Sequence, residues 1–204
     1  MGVDKKQERK KVLEAFTKQG ILDAVVGLLM REGMHGLTMD RVAAEAGVAK
    51  GTLYVYFTNK EEILDAALEA SFDPLIRESF ALLEGDCVPE RKLEEFSLCQ
   101  LRFFDKHRDL IRVLFFDRER MHSERDHYAD SRYRTFVERV AGVLDDGVRE
   151  GLFQPLDSMK VAAMFVEANM GMVMQRIHDG ISGEIEKDAK QVTDIFMEGL
   201  RNRE

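Results

Sequence analysis

Proline is scarce, at three residues in a chain of 204. So few breaks favour long helices over a many-turned β-sandwich. Tryptophan is absent, and two cysteines, Cys87 and Cys99, cannot build a disulfide framework or a four-cysteine zinc site. No apolar run approaches the roughly 18 residues a membrane span needs. The charged start MGVDKKQERKK leads into no apolar segment, so no secretory leader is expected. Gly2 follows Met1, but Lys6 stands where a myristoylation motif has Ser or Thr. No period-two strand and no internal repeat is visible. These absences point to a cytoplasmic, all-α protein, long enough for one domain or two small ones.

What is present is a chain 45% hydrophobic and 33% charged, a composition that folds rather than stays disordered. The net charge of −8 alone argues against a polyanionic partner. Its distribution changes that. Residues 1–60 carry 10 basic against 7 acidic side chains, a net of +3, whereas residues 61–204 carry 20 against 31, a net of −11.

The basic excess coincides with a recognisable arrangement. Ile21, Val25, Leu28 and Leu29 share one helical face, and Gly33 and Gly36 punctuate its end. Thr38 is placed to cap a short helix whose buried stripe is Met39, Val42, Ala43 and Ala46. Gly47 breaks that helix, and a second runs from about Ala49 to Tyr56. Two helices of roughly two turns, joined by a glycine turn, make a helix-turn-helix, with the Ile21–Arg31 helix needed to cover their apolar faces. Asn59 caps the next, long helix, and Glu62 three residues on fits a capping box. Pro74 lies inside that helix.

The stretch LTMDRVAAEAGVAKGTLYVYFTNKEEIL, residues 37–64, resembles the DNA-binding signature of the TetR family of transcriptional regulators. Thr38, Val42, Ala43, Ala46, Gly47, Val48, Gly51, Leu53, Tyr54, Tyr56, Phe57 and Lys60 carry the resemblance. Ile21, Ala24 and Gly33 also match upstream. Ala49 departs from the pattern, where the family often has Ser or Thr; the recognition helix thereby lacks a side-chain cap worth about 1 kcal/mol. Gly27 inside the first helix costs roughly 1 kcal/mol against Ala. The resemblance implies an all-α chain of about nine helices: a three-helix DNA-binding domain joined by a long helix to a six-helix bundle that binds an effector and dimerises. The expected boundaries are a basic arm at 1–16, the DNA-binding domain at 17–64 and the second domain at 65–204.

On this reading the second short helix enters the major groove of double-stranded DNA. Gly51 lets the backbone approach closely, and Lys50 reaches a phosphate or a guanine edge. Thr52 offers a hydroxyl and a methyl. Tyr54 and Tyr56 present hydroxyls to phosphate, as equivalent tyrosines do in the family. Lys60 opposes the dipole of its own helix, which a phosphate at that helix start would relieve, and Thr38 occupies a similar position. Leu53 and Phe57 are read as core.

Residues 72–204 hold 11 of the 13 phenylalanines. The resemblance implies a cavity for a small apolar or amphipathic effector, with Phe80, Phe96, Phe103, Phe104, His107, Phe115, Tyr133, Phe136, Phe165 and Asn169 as candidate lining residues. Arg102 and Gln175 are further candidate polar anchors. The 158–179 helix is apolar nearly all round and must be buried all round. Combined with the family's pairing of its last two helices across a twofold axis, this predicts a homodimer through Ala162, Phe165, Met170, Val173, Ile177, Val192, Phe196 and Leu200. No metal signature and no cofactor motif is present. The segment 117–127, with His122, Asp126 and His127, has the alternating charge of a solvated connection. No nucleophile, base or phosphate-loop pattern suggests an enzyme. Constitutive, ligand-free DNA binding is the main alternative, and a helix-turn-helix fused to an enzyme the weaker one.

Overall fold

A computed structural model describes residues 2–116 and 126–201, with side chains for 5–114 and 132–201. The described residues form nine α-helices: α1 (Gly2–Glu32), α2 (Met39–Glu45), α3 (Lys50–Tyr56), α4 (Lys60–Glu84), α5 (Pro89–Lys106), α6 (Arg108–Phe116), α7 (Asp126–Arg149), α8 (Ser158–His178) and α9 (Ile185–Leu200). A 3-10 turn over Met34–Gly36 links α1 to α2, and one antiparallel bridge, Phe153 with Arg201, is the only β feature among the described residues. The chain is all-α, as its apolar periods predict, and divides into two compact units. One is Met1–Pro74 with Asp109–Arg118; the other is Leu75–Arg108 with Glu119–Glu204.

The segment 1–16, expected as a separate arm, is helical from Gly2 onward and continuous with the core-facing part of α1. No glycine or proline interrupts residues 3–19, and Lys10 pairs with Glu14 one turn on. The first unit extends past the expected boundary at 64. Ala67 of α4 and Leu110 of α6 both join its core, and the division within α4 falls after Pro74.

The first core is built from Ile21, Val25, Leu28 and Leu29 of α1, Val42 and Ala43 of α2, Leu53 of α3, Phe57, and Ile63 and Leu64 of α4. Gly33, at φ 66°, ends α1 in the left-handed region that a side chain would resist. Thr38 caps α2, its hydroxyl accepting from the Arg41 N–H at 3.3 Å. Gly47, also at φ 66°, reverses the chain, and the Val48 N–H closes the turn on the Ala43 carbonyl at 3.0 Å. Ion pairs fasten the exposed edges: Arg31 with Glu45 at 2.8 Å, and Arg41 with Glu32.

The second unit is organised by phenylalanine. Phe80, Phe96, Phe136, Phe165 and Phe196, from α4, α5, α7, α8 and α9, form a chain of rings with neighbouring centroids 5.1–6.2 Å apart. Phe96 and Phe165 of this ring chain are buried and the other three partly so; Phe153 adds a further buried ring, seated over Gly147. A Cβ on Gly147 would lie 2.2 Å from the Phe153 ring. Gly147→Ala is therefore expected to force the ring outward and to cost about 1–3 kcal/mol, the usual range for overpacking. Urea denaturation of the variant checks this; a midpoint equal to wild type would show that the ring has room to move.

Arg176, in the last turn of α8, is buried and holds three elements together. Its guanidinium donates to Asp188 of α9, to the Gly183 carbonyl at 2.8 Å and to Asp105 of α5 at 3.3 Å. Arg108 bonds the same Asp105 and reaches the Ile181 carbonyl at 2.6 Å.

Candidate nucleic-acid interface

The position of α3 follows from its two inward residues. Leu53 is fully buried and Phe57, just past the helix end, nearly so. These two fix which side faces out. Gly51, Tyr54 and Val55 lie on the outer side: Tyr54 is 47% and Val55 79% exposed, and a Cβ at Gly51 would meet nothing within 4 Å. Nothing among the described residues crowds position 51, so packing gives no reason for a glycine there. Ala49 occupies the N-cap of α3 with no side-chain hydrogen bond, so the cap missing from the sequence is missing in the structure.

The cationic groups arrive partnered. Lys50 pairs with Asp40 of α2 at 2.5 Å, and that hydrogen bond raises the Lys50 pKa above its ordinary value. A phosphate that takes up Lys50 must compete with Asp40. Lys60, half-buried, donates to the Met34 carbonyl at 3.2 Å, so its ammonium braces the 3-10 turn against the start of α4. That contact, invisible in the sequence, relieves part of the conflict between Lys60 and its helix dipole. The start of α4 is also capped differently from a simple box. Asn59 Oδ1 accepts from the Glu62 N–H at 2.8 Å, while the Glu62 carboxylate reaches back to the N–H and hydroxyl of Thr58, both at 2.6 Å. Those bonds from Thr58 hold the Glu62 carboxyl below its ordinary pKa. The Thr38 hydroxyl is occupied as a cap, Thr52 is half-buried, and Tyr56 packs partly against the core, its ring 6.5 Å from Phe57. Of the polar residues expected to face DNA, Thr38, Lys50 and Tyr54 are exposed, and of these the Thr38 hydroxyl is already engaged as the cap of α2. Val55 was missed by sequence reasoning, although its place one turn after Gly51, opposite Leu53 and Phe57, was a sufficient signal.

In the second unit the expected effector residues separate into groups. Phe80, Phe96, Phe136 and Phe165 meet in the ring chain. Phe103 and Phe104 stack edge to face at the end of α5, and the His107 ring lies 4.4 Å from Phe103. Burial, and then the nearby Lys106 cation, lower the His107 pKa. Burial, then Glu167 and a hydrogen bond to it, push the Tyr133 phenol up. Asn169 is buried, donates to the Phe165 carbonyl at 2.8 Å and keeps an unpartnered Oδ1. Arg102 and Gln175 are corrections. Both are exposed, and Arg102 pairs with Glu186 at 2.7 Å. The side chain of Phe115 lies outside the described residues, as do His122 and the side chains of Asp126 and His127. Sequence reasoning also missed Ser97 and Gln100. They fall on the stripe Leu93, Phe96, Leu101 and Phe104 and are buried with it. Gln100 donates to Ser79 Oγ at 3.3 Å, and the Thr193 hydroxyl lies 3.3 Å from Ser97. Burial raises the Cys99 thiol to about 11, which leaves it protonated and unreactive at neutral pH.

The expected dimer residues need the larger correction. Ala162, Phe165, Val173, Ile177, Val192 and Leu200 are buried within the chain's own second unit, and Met170 and Phe196 are partly covered. An all-round apolar helix reveals that two sides are covered, but not which side belongs to its own core. The outward large apolar residues are instead Met159 and Met164 on α8, 49% and 63% exposed, and Ile195 on α9, 64% exposed. No helix among the described residues is long and apolar enough to cross a membrane.

A helix-turn-helix held by its own core, with an open glycine-bearing face on its second helix, defines a DNA-binding protein of the regulator class. Comparison with known proteins agrees. Residues 21–67 match the family model described as bacterial regulatory proteins, tetR family, and residues 86–178 match the tetracyclin repressor-like C-terminal domain. The chain belongs to the TetR family of transcriptional regulators, which is a regulatory rather than an enzymatic family. It is 26% identical to the HTH-type transcriptional regulator YfiR of Bacillus subtilis over 165 residues, 78% of each chain. It is 25% identical to the HTH-type transcriptional repressor KstR2 of Rhodococcus jostii over 183 residues, 88% of this chain and 89% of that one. Among solved structures it resembles the fatty acid degradation regulator FadR of Bacillus halodurans, with a TM-score of 0.75 and 21% identity, over 92% of this chain and 97% of that one.

Proposed function

We propose that this regulator binds a palindromic operator in double-stranded DNA as a homodimer, represses transcription there, and is released by a small apolar or amphipathic effector. The observation that carries the DNA reading is the outer side of α3. It presents Gly51 over open space beside exposed Tyr54 and Val55, on a helix locked from behind by Leu53 and Phe57. Dimerisation is supported by Met164 and Ile195, exposed on the outward faces of α8 and α9. Gly171, one heptad after Met164, has open space at its Cβ position. The effector class is supported by the chain of phenylalanine rings with uncharged Ser79, Ser97, Gln100, Asn169 and Thr193 buried in the same unit. The names of similar proteins agree with it: KstR2 of Mycobacterium tuberculosis is a ketosteroid transcriptional regulator and FadR of Bacillus halodurans a fatty acid degradation regulator. An effector releases the operator only if it binds the DNA-incompetent state more tightly.

The test is selection of random duplexes on the purified protein, followed by screening of apolar ligands for release of the selected duplex. The expected result is one enriched inverted repeat, bound by two chains and released by a lipid-like ligand. Folded protein that enriches no site, or binds every duplex equally in a salt-dependent way, would overturn the operator reading.

A further inference from the structure

Val55 has no structural task. It is 79% exposed, and no large apolar side chain among the described residues is more exposed. It sits one turn after Gly51 on the outer side of α3, with Leu53 and Phe57 holding the inner side. A valine carries no hydrogen-bonding atom and gains nothing from a phosphate. In the major groove the base edges present donors, acceptors and one apolar group, the C5-methyl of thymine. A short, β-branched side chain reaches a groove floor only when its helix comes close, and the bare backbone at Gly51, with open space around it, permits that approach. Lys50 and Tyr54, one turn apart on the adjoining row, supply the polar contacts that position such a helix.

We infer that Val55 is a specificity-determining residue that packs against the C5-methyl of one thymine in each half of the operator. The inference rests on the DNA-binding reading above.

The test replaces each operator thymine in turn by uracil, symmetrically in both half-sites, which removes the methyl group and leaves every hydrogen-bonding group in place. Affinities are measured at fixed salt for the wild type and for Val55→Ala. This variant removes no buried contact and puts a better helix former in α3, so it folds. At one thymine position the wild type is expected to lose about three- to tenfold in affinity, the order set by burying one or two methyl groups. Val55→Ala is expected to bind the parent operator as weakly as the wild type binds that uracil operator, and to show no further loss with uracil. Two results would overturn the inference: uracil tolerated at every position by the wild type, or an equal uracil penalty in both proteins. Failure to select any operator would remove the DNA reading and this inference with it. An operator whose binding ignores the methyl groups would remove this inference alone.

Discussion

Arg176→Met is expected to destabilise the second unit by about 3–5 kcal/mol, the range for breaking a buried ion pair from one side. The reason lies in what stays behind. The Arg176 side chain is 3% exposed, and Asp105 and Asp188 are only 22% and 21% exposed. Removing the guanidinium leaves both carboxylates largely cut off from water, and Asp188 and the Gly183 carbonyl each lose a donor. Asp105 keeps Arg108, so the greater part of the cost falls on Asp188. Surface pairs of the same chain differ sharply. Arg102 with Glu186 and Lys190 with Asp194 are more than half exposed on both partners and are each worth about 0–1 kcal/mol. Denaturant unfolding followed by helical circular dichroism reads the difference. Combining Arg176→Met with Asp188→Leu should recover part of the loss, since an apolar pair no longer strands a charge. A single-variant loss below about 1 kcal/mol would mean that water reaches the network and screens it.

Arg176 also shows where the sequence stops being legible. A cation in the last turn of a helix reads as a solvated residue complementing the dipole, and nothing local announces that Asp105, 71 positions earlier, folds beside it. Features governed by neighbours within a turn or two were legible. The Thr38 cap, the Gly47 turn, the uncapped Ala49, and the burial of Leu53 and Phe57 stand where local patterns put them. The start of α4 was legible except for one partner, Glu62 choosing Thr58, a residue further back than Asn59. Features set by long-range packing were not. The Lys60 bond to the Met34 carbonyl spans 26 positions, and the inner side of α8 depends on where α5, α7 and α9 lie against it. The apolar pattern of α8 was equally compatible with the opposite choice, so Ala162, Phe165, Val173 and Ile177, expected at a partner's surface, lie in the chain's own core, while Met170 is partly exposed.

Gly51→Leu is expected to separate stability from function. Glycine inside a helix costs about 1 kcal/mol relative to a good helix former, and leucine at this position would meet no protein atom within 4 Å of its Cβ. The variant should therefore unfold at a slightly higher temperature or denaturant concentration than the wild type. Operator affinity should move the other way. In the proposed complex the added side chain would stand between the α3 backbone and the groove floor, on the same outer side as Val55. Backing the helix out sacrifices base contacts worth about 1–3 kcal/mol each, so a loss of one to two orders of magnitude is expected. Non-specific binding, carried by phosphate contacts that tolerate a small displacement, should change much less. Thermal unfolding and operator titration on the same preparation give both signs. A lowered unfolding temperature would mean that the glycine serves the fold after all. Unchanged operator affinity would mean that α3 does not approach the bases at residue 51. Higher stability with weaker operator binding would leave one physical explanation for a helix-destabilising residue over open space: the space is filled by DNA when the protein acts.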